Sequence, residues 1–485
     1  MSTTLLCATV TATSMAELRR RRDQVAGADL VELRLDGIGD LDVSAALEGR
    51  RLPVIVTCRP TWQGGRHDGD EAARVAVLER AWDLGAEWVD VEDGAADAFV
   101  ARVRGRRIVR SYHDFDGVPA DLEARFRHLL ASGAEVVKLA VMAHRLADVV
   151  TLRGLARTAP GRTVLLGMGP AGLPSRILGA HLGSRWTYAG AAVAPGQIAL
   201  PRMRDEFHVP AVSARTAIYG VAGRPVGHSL SPAMHNAAFR AAGVDAVYVP
   251  LEGASFDDVE TFASAFDVRG LSVTAPFKAD AFAAVAAPSA EDQALGAVNT
   301  LRRTAAGWDG RNTDVEGFLA PLAGRAWRGR HAAVLGAGGA ARAVTPALRD
   351  LGARVTVHAR RAEAAAALAA RFGVAAGAWP PEAWDVLVNT TPVGTAPRVD
   401  DAPLALAGDL RGRLVYDLVY HPIETRLLAT ARALGADTIG GLPMLVAQAA
   451  AQFSWWTGQP APVSRMQEAA EARLAAAHAE SLTSV

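Results

Sequence analysis

Eight short β-prone runs, each separated from the next by a stretch of helical character, fill roughly the first 200 residues. They are residues 5–10 (LLCATV), 30–36 (LVELRLD), 54–60 (VIVTCRP), 88–93 (WVDVED), 107–115 (RIVRSYHDF), 135–142 (EVVKLAVM), 163–169 (TVLLGMG) and 186–197 (WTYAGAAVAPGQ). Segments such as SMAELRRRRDQVAG and DEAARVAVLERAWDLG lie between them, with apolar residues at helical spacing and a glycine at the end. A strand that must be followed by a helix and then by a parallel strand buries both faces of its sheet. Eight such units predict a closed (β/α)₈ barrel, because closure removes the sheet edges. An open doubly wound sheet is the alternative.

The chain has 485 residues, more than one hydrophobic core usually serves, so about three domains are expected. Lysine plus arginine equals aspartate plus glutamate, 51 each, which removes the global basic field expected of a nucleic-acid binder. Small ligands are the expected partners. Cys7 and Cys58 are the only cysteines, too few for a disulfide framework or a cysteine-rich zinc site, and no metal is expected. Met1 is followed within four residues by a strand-like run, and no apolar stretch reaches membrane-spanning length, so a cytoplasmic location is expected.

In a barrel the chemistry sits at the C-terminal ends of the strands. That gives the polar residues there a common destination: Glu32 and Arg34 on the second run, Arg59 on the third, Asp90 on the fourth, His113 on the fifth, Lys138 on the sixth, Arg176 after the seventh and Gln197 at the end of the eighth. Each alone has a plain reading, as a rim ion pair, a loop cap or a satisfied core histidine. Lys138 is the sharpest case, an ammonium inside the apolar run VVKLAVM, where it must be used, paired or snorkelled out. With cations around it, desolvation and like-charge repulsion favour the neutral amine that forms an imine with a ketone. A histidine within reach, His113, then removes the proton made acidic by the iminium and later protonates a leaving hydroxyl. Arginines suit a substrate carboxylate, Arg176 being the best-placed fork.

Residues 204–217 show neither strand alternation nor a helical stripe, which places a linker near 205–215. Beyond it, the loop of GHSLSPAMHN carries Ser229 and Ser231, either ligand-binding hydroxyls or the cap of a helix. The runs LSVTAPFK, GAVNT and GRNTD deliver Thr274, Lys278, Asn299 and Asp314 just after apolar residues. Lys278 and Asp314 could form a proton-donor pair or a plain ion pair. Residues 331–361 then read strand, glycine turn, helix, strand. Gly336, Gly338, Gly339 and Ala340 form the turn, and Ala341 stands where a third glycine would complete the dinucleotide fingerprint. The second strand of this unit ends in Ala359, Arg360 and Arg361, with no carboxylate before Glu363. Two guanidiniums at that point suit the 2′-phosphate of NADP and predict NADP(H) over NAD(H), the alternative being a solvated basic turn.

The motifs VELRLD, TCRPTWQGG, DVED, SYHDF, VKLAVM, GLPSR and APGQ, in this order, resemble type I 3-dehydroquinate dehydratase over the first 200 or so residues. From about 216 to 458 the motifs GHSLSPAMHN, VTAPFK, GAVNT, NTD, GAGGAAR, YDLVY and MLVAQAA resemble shikimate dehydrogenase. The joint resemblance implies a barrel at 1–208, a shikimate-binding α/β domain at 216–318, a Rossmann-like NADP domain at 319–440 and C-terminal helices at 441–485 that return to the substrate cleft. It implies Schiff-base dehydration of 3-dehydroquinate on Lys138 with His113 as acid/base, and Glu32, Arg34, Arg59, Arg176 and Gln197 around the substrate. In the second half it implies Lys278 and Asp314 as catalytic pair, with Ser229, Ser231, Thr274, Asn299 and Gln448 around the shikimate ring. Gln63 stands where the dehydratase family usually has glutamate, and Val193 where a serine commonly precedes APGQ; the cofactor loop reads Ala-Arg-Arg where the family usually has Asn-Arg-Thr. Two other functions fit parts of this pattern: a catabolic quinate/shikimate dehydrogenase fused to a dehydratase, and a ligand-sensing regulator without catalysis. Retention of Lys138, His113, Lys278 and Asp314 argues against the sensor.

Overall fold

The computed structural model describes residues 4–190 and 194–483. The chain divides into two compact units, residues 1–232 with 245–269, and residues 233–244 with 270–485.

In the first unit the eight expected strands form: β1 (Leu5–Thr11), β2 (Leu30–Arg34), β3 (Val54–Thr57), β4 (Trp88–Glu92), β5 (Ile108–Asp114), β6 (Val136–Met142), β7 (Thr163–Met168) and β8 (Trp186–Ala189). They run in one parallel sheet ordered β7-β6-β5-β4-β3-β2-β1-β8. The ring closes between β7 and β8 through a single bridge, Thr163 with Ser184, and a bond from the Arg185 N–H to the Thr163 carbonyl at 2.8 Å.

Alternation along each strand sorts side chains into two cores. Val10, Val31, Leu33, Val54, Val56, Val89 and Val91 face outward and pack with helix residues such as Leu18, Leu78 and Ala81. The opposite parity points inward, where Cys7, Leu30, Ile55, Val109, Val136, Val164 and Trp186 belong to an apolar cluster. Two residues further along several of these strands come Thr9, Glu32, Thr57, Ser111 and Lys138. The barrel is thus apolar below and charged above, and Lys138 lies where its strand passes from one layer to the other.

The expected linker is packed. Met203, Phe207, Val209 and Val212 are buried, and Val209–Ala211 forms a short helical turn. Beyond it β9 (Ala217–Gly223) and β10 (Ala246–Glu252) pair in parallel. Asp258 of the helix Phe256–Ala265 accepts bonds from the Leu146 and Ala147 N–H groups, both at 2.9 Å, capping the barrel helix Leu146–Ala156.

In the second unit β11 (Val268–Val273), β12 (Thr300–Thr304) and β13 (Gly307–Arg311) pair antiparallel. A separate parallel sheet contains β14 (His331–Leu335), β15 (Arg354–His358), β16 (Ala375–Gly377), β17 (Val386–Asn389), β18 (Leu414–Asp417) and β19 (Asp437–Ile439). Its order, β16-β15-β14-β17-β18-β19, is that of a doubly wound dinucleotide fold with the switch point between β14 and β17. Apolar clusters cover both faces, one with Val334, Val344, Leu348 and Val388, the other with Leu335, Leu387, Val415 and Leu427.

Candidate active sites

Seven of the eight barrel residues singled out from the sequence line one cleft: Glu32, Arg34, Arg59, His113, Lys138, Arg176 and Gln197. Lys138 is 4% exposed. Its Nζ donates to Asp90 Oδ2 at 3.0 Å, lies 3.7 Å from Glu32 Oε1, and sits 4.4 Å from the centre of the Tyr188 ring. This corrects the expectation that cations are its nearest charges, because the partners within reach are carboxylates.

Asp90 is the hub. It binds Arg59 through both oxygens, at 3.1 and 2.9 Å, and accepts from Ser111. Burial alone would push its carboxyl up, yet Arg59 and Lys138 hold it well below the usual carboxylate range. Arg59 also donates to Glu92 at 2.7 Å and to Ser111 at 2.9 Å, and Glu92 in turn takes a 2.7 Å bond from the buried Arg74. On the other side Glu32 accepts from Thr57 at 2.9 Å and Thr9 at 3.1 Å, and Gln197 reaches Thr9 at 3.2 Å. Arg34 is clamped by both oxygens of Asp36 at 2.8 Å.

Two further groups complete the cleft. Burial, reinforced by Arg59 and Lys138, holds the His113 imidazole well below its usual value, which favours the neutral ring. Arg176 is 2% exposed; among the described residues no carboxylate lies against it, its Nε lacks a partner, and its one bond is a 3.3 Å contact to the Pro195 carbonyl. Burial pulls this guanidinium down to about 10. A buried cation without an anion is costly unless a ligand brings one.

The second unit gathers four of its expected residues. Lys278 Nζ lies 2.5 Å from Asp314 Oδ2. Asn299 Nδ2 donates to Asp314 Oδ1 at 2.7 Å and to Gln448 Oε1 at 3.0 Å. The Asn299 carbonyl oxygen accepts from Thr313 N–H and Thr300 Oγ1, which fixes the amide's orientation. Gly317 makes the Gln448 contact possible, since a Cβ there would come within 2.8 Å of the Gln448 Cβ. Thr274 follows β11 and its carbonyl accepts from Phe277 N–H, in the turn that leads into the helix Lys278–Ala283. In the first unit Ser229 Oγ accepts from the Ser231 N–H at 3.2 Å, at the start of the helix Ser231–Ala241, so the capping role is present.

The glycine turn follows β14. Gly336 has φ +109°, and a Cβ there would lie 2.7 Å from Thr390 Oγ1; Gly338 and Gly339 have open space above them. Gly339 and Ala340 open the helix Gly339–Asp350, whose N-terminus favours an anion, and Ala341 is fully buried where a third glycine would pack. Arg360 and Arg361 are exposed after β15 and make no side-chain hydrogen bond or ion pair among the described residues. A backbone cradle, two free guanidiniums and no opposing carboxylate fit an NADP pyrophosphate and 2′-phosphate. Val193 lies outside the described residues. Asp90, Thr9, Ser111 and Tyr188 are the site residues that sequence reasoning left without a role.

A parallel barrel with a buried lysine at its mouth, and a doubly wound dinucleotide fold beside a lysine–aspartate pair, define a chain with a lyase-type and a dehydrogenase-type centre. The model of type I 3-dehydroquinase matches residues 6–213, that of the shikimate dehydrogenase substrate binding domain residues 221–301, and that of the shikimate 5′-dehydrogenase C-terminal domain residues 441–471. The chain is 34% identical to the chloroplastic bifunctional 3-dehydroquinate dehydratase/shikimate dehydrogenase of Arabidopsis thaliana, over 94% of this chain and 83% of that one. It is 40% identical to the NADP⁺ shikimate dehydrogenase of Thermosynechococcus vestitus over 55% of this chain and 99% of the relative. A crystal structure of shikimate dehydrogenase in complex with NADP⁺ superposes with a TM-score of 0.52 at 34% identity, covering 54% of this chain and 97% of that one. The chain belongs to the family of bifunctional 3-dehydroquinate dehydratase/shikimate dehydrogenases.

Proposed function

We propose that the two centres catalyse successive steps of the shikimate pathway, dehydration of 3-dehydroquinate to 3-dehydroshikimate and its NADPH-dependent reduction to shikimate. The observation that carries the first step is the meeting of Lys138, His113 and Arg176 in one cleft. Arg176 takes the substrate carboxylate, supplying the anion its buried guanidinium lacks. Lys138 condenses with the ketone and releases one water, giving an iminium. Asp90 and Glu32, both within reach of Nζ, stabilise that cation. His113 removes the proton from the adjacent carbon and returns it to the β-hydroxyl, which leaves as water. Hydrolysis of the conjugated iminium consumes one water and frees Lys138, so the net loss is one water.

In the second step Lys278 donates a proton to the oxygen of the 3-ketone as it becomes an alcohol. Asp314 and Asn299 hold the ammonium and its partner in place, and Asn299 and Gln448 offer further polar atoms to ring hydroxyls. Gly338, Gly339 and Ala340 would hold the cofactor's pyrophosphate and Arg360 with Arg361 its 2′-phosphate. NADPH, when bound, supplies the hydride. The substrate-binding role of Ser229 and Ser231 rests on the family resemblance. The biosynthetic direction, toward aromatic amino acids, is part of the proposal, as is a cytoplasmic location; the buried free thiols Cys7 and Cys58 support a reducing compartment. No helix among the described residues is long and apolar enough to cross a membrane. The test is one assay: 3-dehydroquinate and NADPH given to the intact chain must yield shikimate with stoichiometric NADPH oxidation. A chain that accumulates 3-dehydroshikimate, or consumes no 3-dehydroquinate, contradicts the proposal.

A further inference from the structure

A second cleft, of ≈ 550 Å³, opens elsewhere in the first unit and shares no lining residue with the cleft around Lys138. Its walls are the end of the barrel helix Leu146–Ala156, the turn Gly179–Leu182 and the last residue of the helix Phe256–Ala265. The barrel helix starts beyond the C-terminal end of β6 and runs back, and the turn leads into β8, so the cleft lies toward the N-terminal ends of the strands. Catalysis in a barrel occupies the opposite end. Gly183 lines the cleft beside the seam of the ring, where its carbonyl accepts from Thr163 Oγ1 at 3.3 Å.

Arg153 and Arg157 lie one turn apart at the end of their helix, and both line this cleft. A helix C-terminus suits cations, yet like charges at this spacing repel. The Arg153 guanidinium carbon sits 4.6 Å from the centre of the Phe266 ring, a stacking that leaves its N–H edges for acceptors. Neither arginine makes a side-chain hydrogen bond or ion pair among the described residues. Two carboxylates act nearby: Asp267, which is paired with Arg269 at 2.8 Å, and Asp245, which acts on His181. His181 is held by a 3.0 Å bond between its Nε2 and the Thr216 carbonyl. The rest of the wall is apolar, with Val150, Ala156, Leu182 and Ala265.

We propose that this cleft binds a small organic anion, its carboxylate or phosphate head held by Arg153 and Arg157 and its apolar body lying against Val150, Leu182 and Ala265. Guanidinium forks match such oxyanions, and a cleft of this volume is of the size that takes small molecules. The head is held by the helix that precedes β7 and the body by the turn that precedes β8. Occupancy therefore ties together elements on the two sides of the seam and stabilises the folded unit. The inference is independent of the two reactions proposed above.

Calorimetric titration of the full chain with benzoate, phenyl phosphate, inorganic phosphate and benzyl alcohol tests it, the first two separating a carboxylate from a phosphate head. At least one of the aromatic anions should bind saturably and raise Tm. Inorganic phosphate should bind about tenfold more weakly, and benzyl alcohol more weakly still, since each lacks one half of the match. Arg153→Leu with Arg157→Leu should weaken the aromatic anion about tenfold or more and hold or raise Tm of the unliganded chain, because two repelling charges are removed. Arg157→Gln alone, at an exposed position, should weaken it about threefold. His181 locates the site. Burial and the Arg153 charge hold its ring below the ordinary value, against the pull of the Thr216 bond and Asp245. An anion on Arg153 should therefore raise the His181 midpoint, read in long-range ¹H–¹⁵N spectra with the signal assigned by its loss in His181→Gln. Binding of neither aromatic anion, equal binding in the double variant, or a His181 midpoint unmoved at saturation overturns the inference. Inorganic phosphate or benzyl alcohol binding as tightly as the aromatic anions would contradict the assigned head or body.

Discussion

Each of the two centres places a lysine against a carboxylate, and they do so in opposite surroundings. The Lys138 side chain is 6% exposed, held among Asp90, Glu32 and the Tyr188 ring, with Arg59, Glu92 and Arg74 extending the network outward. Lys278 is 25% exposed on its side chain and has Asp314 as its recorded partner. A group that must become covalently attached, carry a cationic intermediate and be released again needs charges fixed around it. A group that passes one proton needs an orienting partner and an open face. On the proposed assignment, similar residue pairs serve a nucleophile in one unit and a proton donor in the other.

The comparison breaks most sharply at the lysines themselves. Lys138→Ala should reduce dehydration below detection while kcat/KM for reduction of added 3-dehydroshikimate stays within about twofold, since the residues belong to different compact units. Coupled NADPH assays with either substrate read both, and parallel loss of the two activities would contradict the division. Lys278→Ala should lower kcat for reduction by about 10²–10⁴-fold with a modest KM change, because the proton it gives matters mainly in the transition state. A loss confined to KM would make it a binding residue.

Arg176 sharpens the contrast in another way, as a buried cation lacking an anion. Arg176→Leu should raise KM for 3-dehydroquinate about 10- to 100-fold, the worth of a charge-assisted bond to the carboxylate. Tm should hold or rise, because the desolvated charge is removed. An unchanged KM with a lowered Tm would make Arg176 structural. The smallest effect is expected at the cofactor: Arg360→Ala should weaken NADPH about fivefold, the scale of an exposed ion pair, and leave NADH nearly unchanged. Equal weakening of both would show that Arg360 does not meet the 2′-phosphate.

The barrel was legible because its signal is repetitive: eight β-prone runs, each ending near a polar residue, have one compact closed solution. Lys138, His113 and Arg176 were legible for the same reason, since their strand and loop positions lead to one mouth. Asp90 was visible as a polar strand residue, but not as the hub, because its partners Arg59, Ser111 and Lys138 come from three other strand regions and meet only through the barrel's stagger. Arg59 shows the converse. Its place suggested substrate contact, whereas its two terminal nitrogens bond Asp90, Glu92 and Ser111. The tight packing of 202–212 was also illegible, because Met203, Phe207 and Val209 follow neither a strand nor a helix period. At Gly317 the close approach to Gln448 depends on how two helices cross, which no local pattern encodes.

The most direct test of the difference between the two lysines is chemical. Borohydride added while the intact chain turns over 3-dehydroquinate should inactivate the dehydratase and, by peptide mass analysis, leave a reduced substrate adduct on Lys138 and none on Lys278. An adduct on Lys278, or a dehydratase that remains fully active with Lys138 unmodified, would contradict the assignment of nucleophile and proton donor.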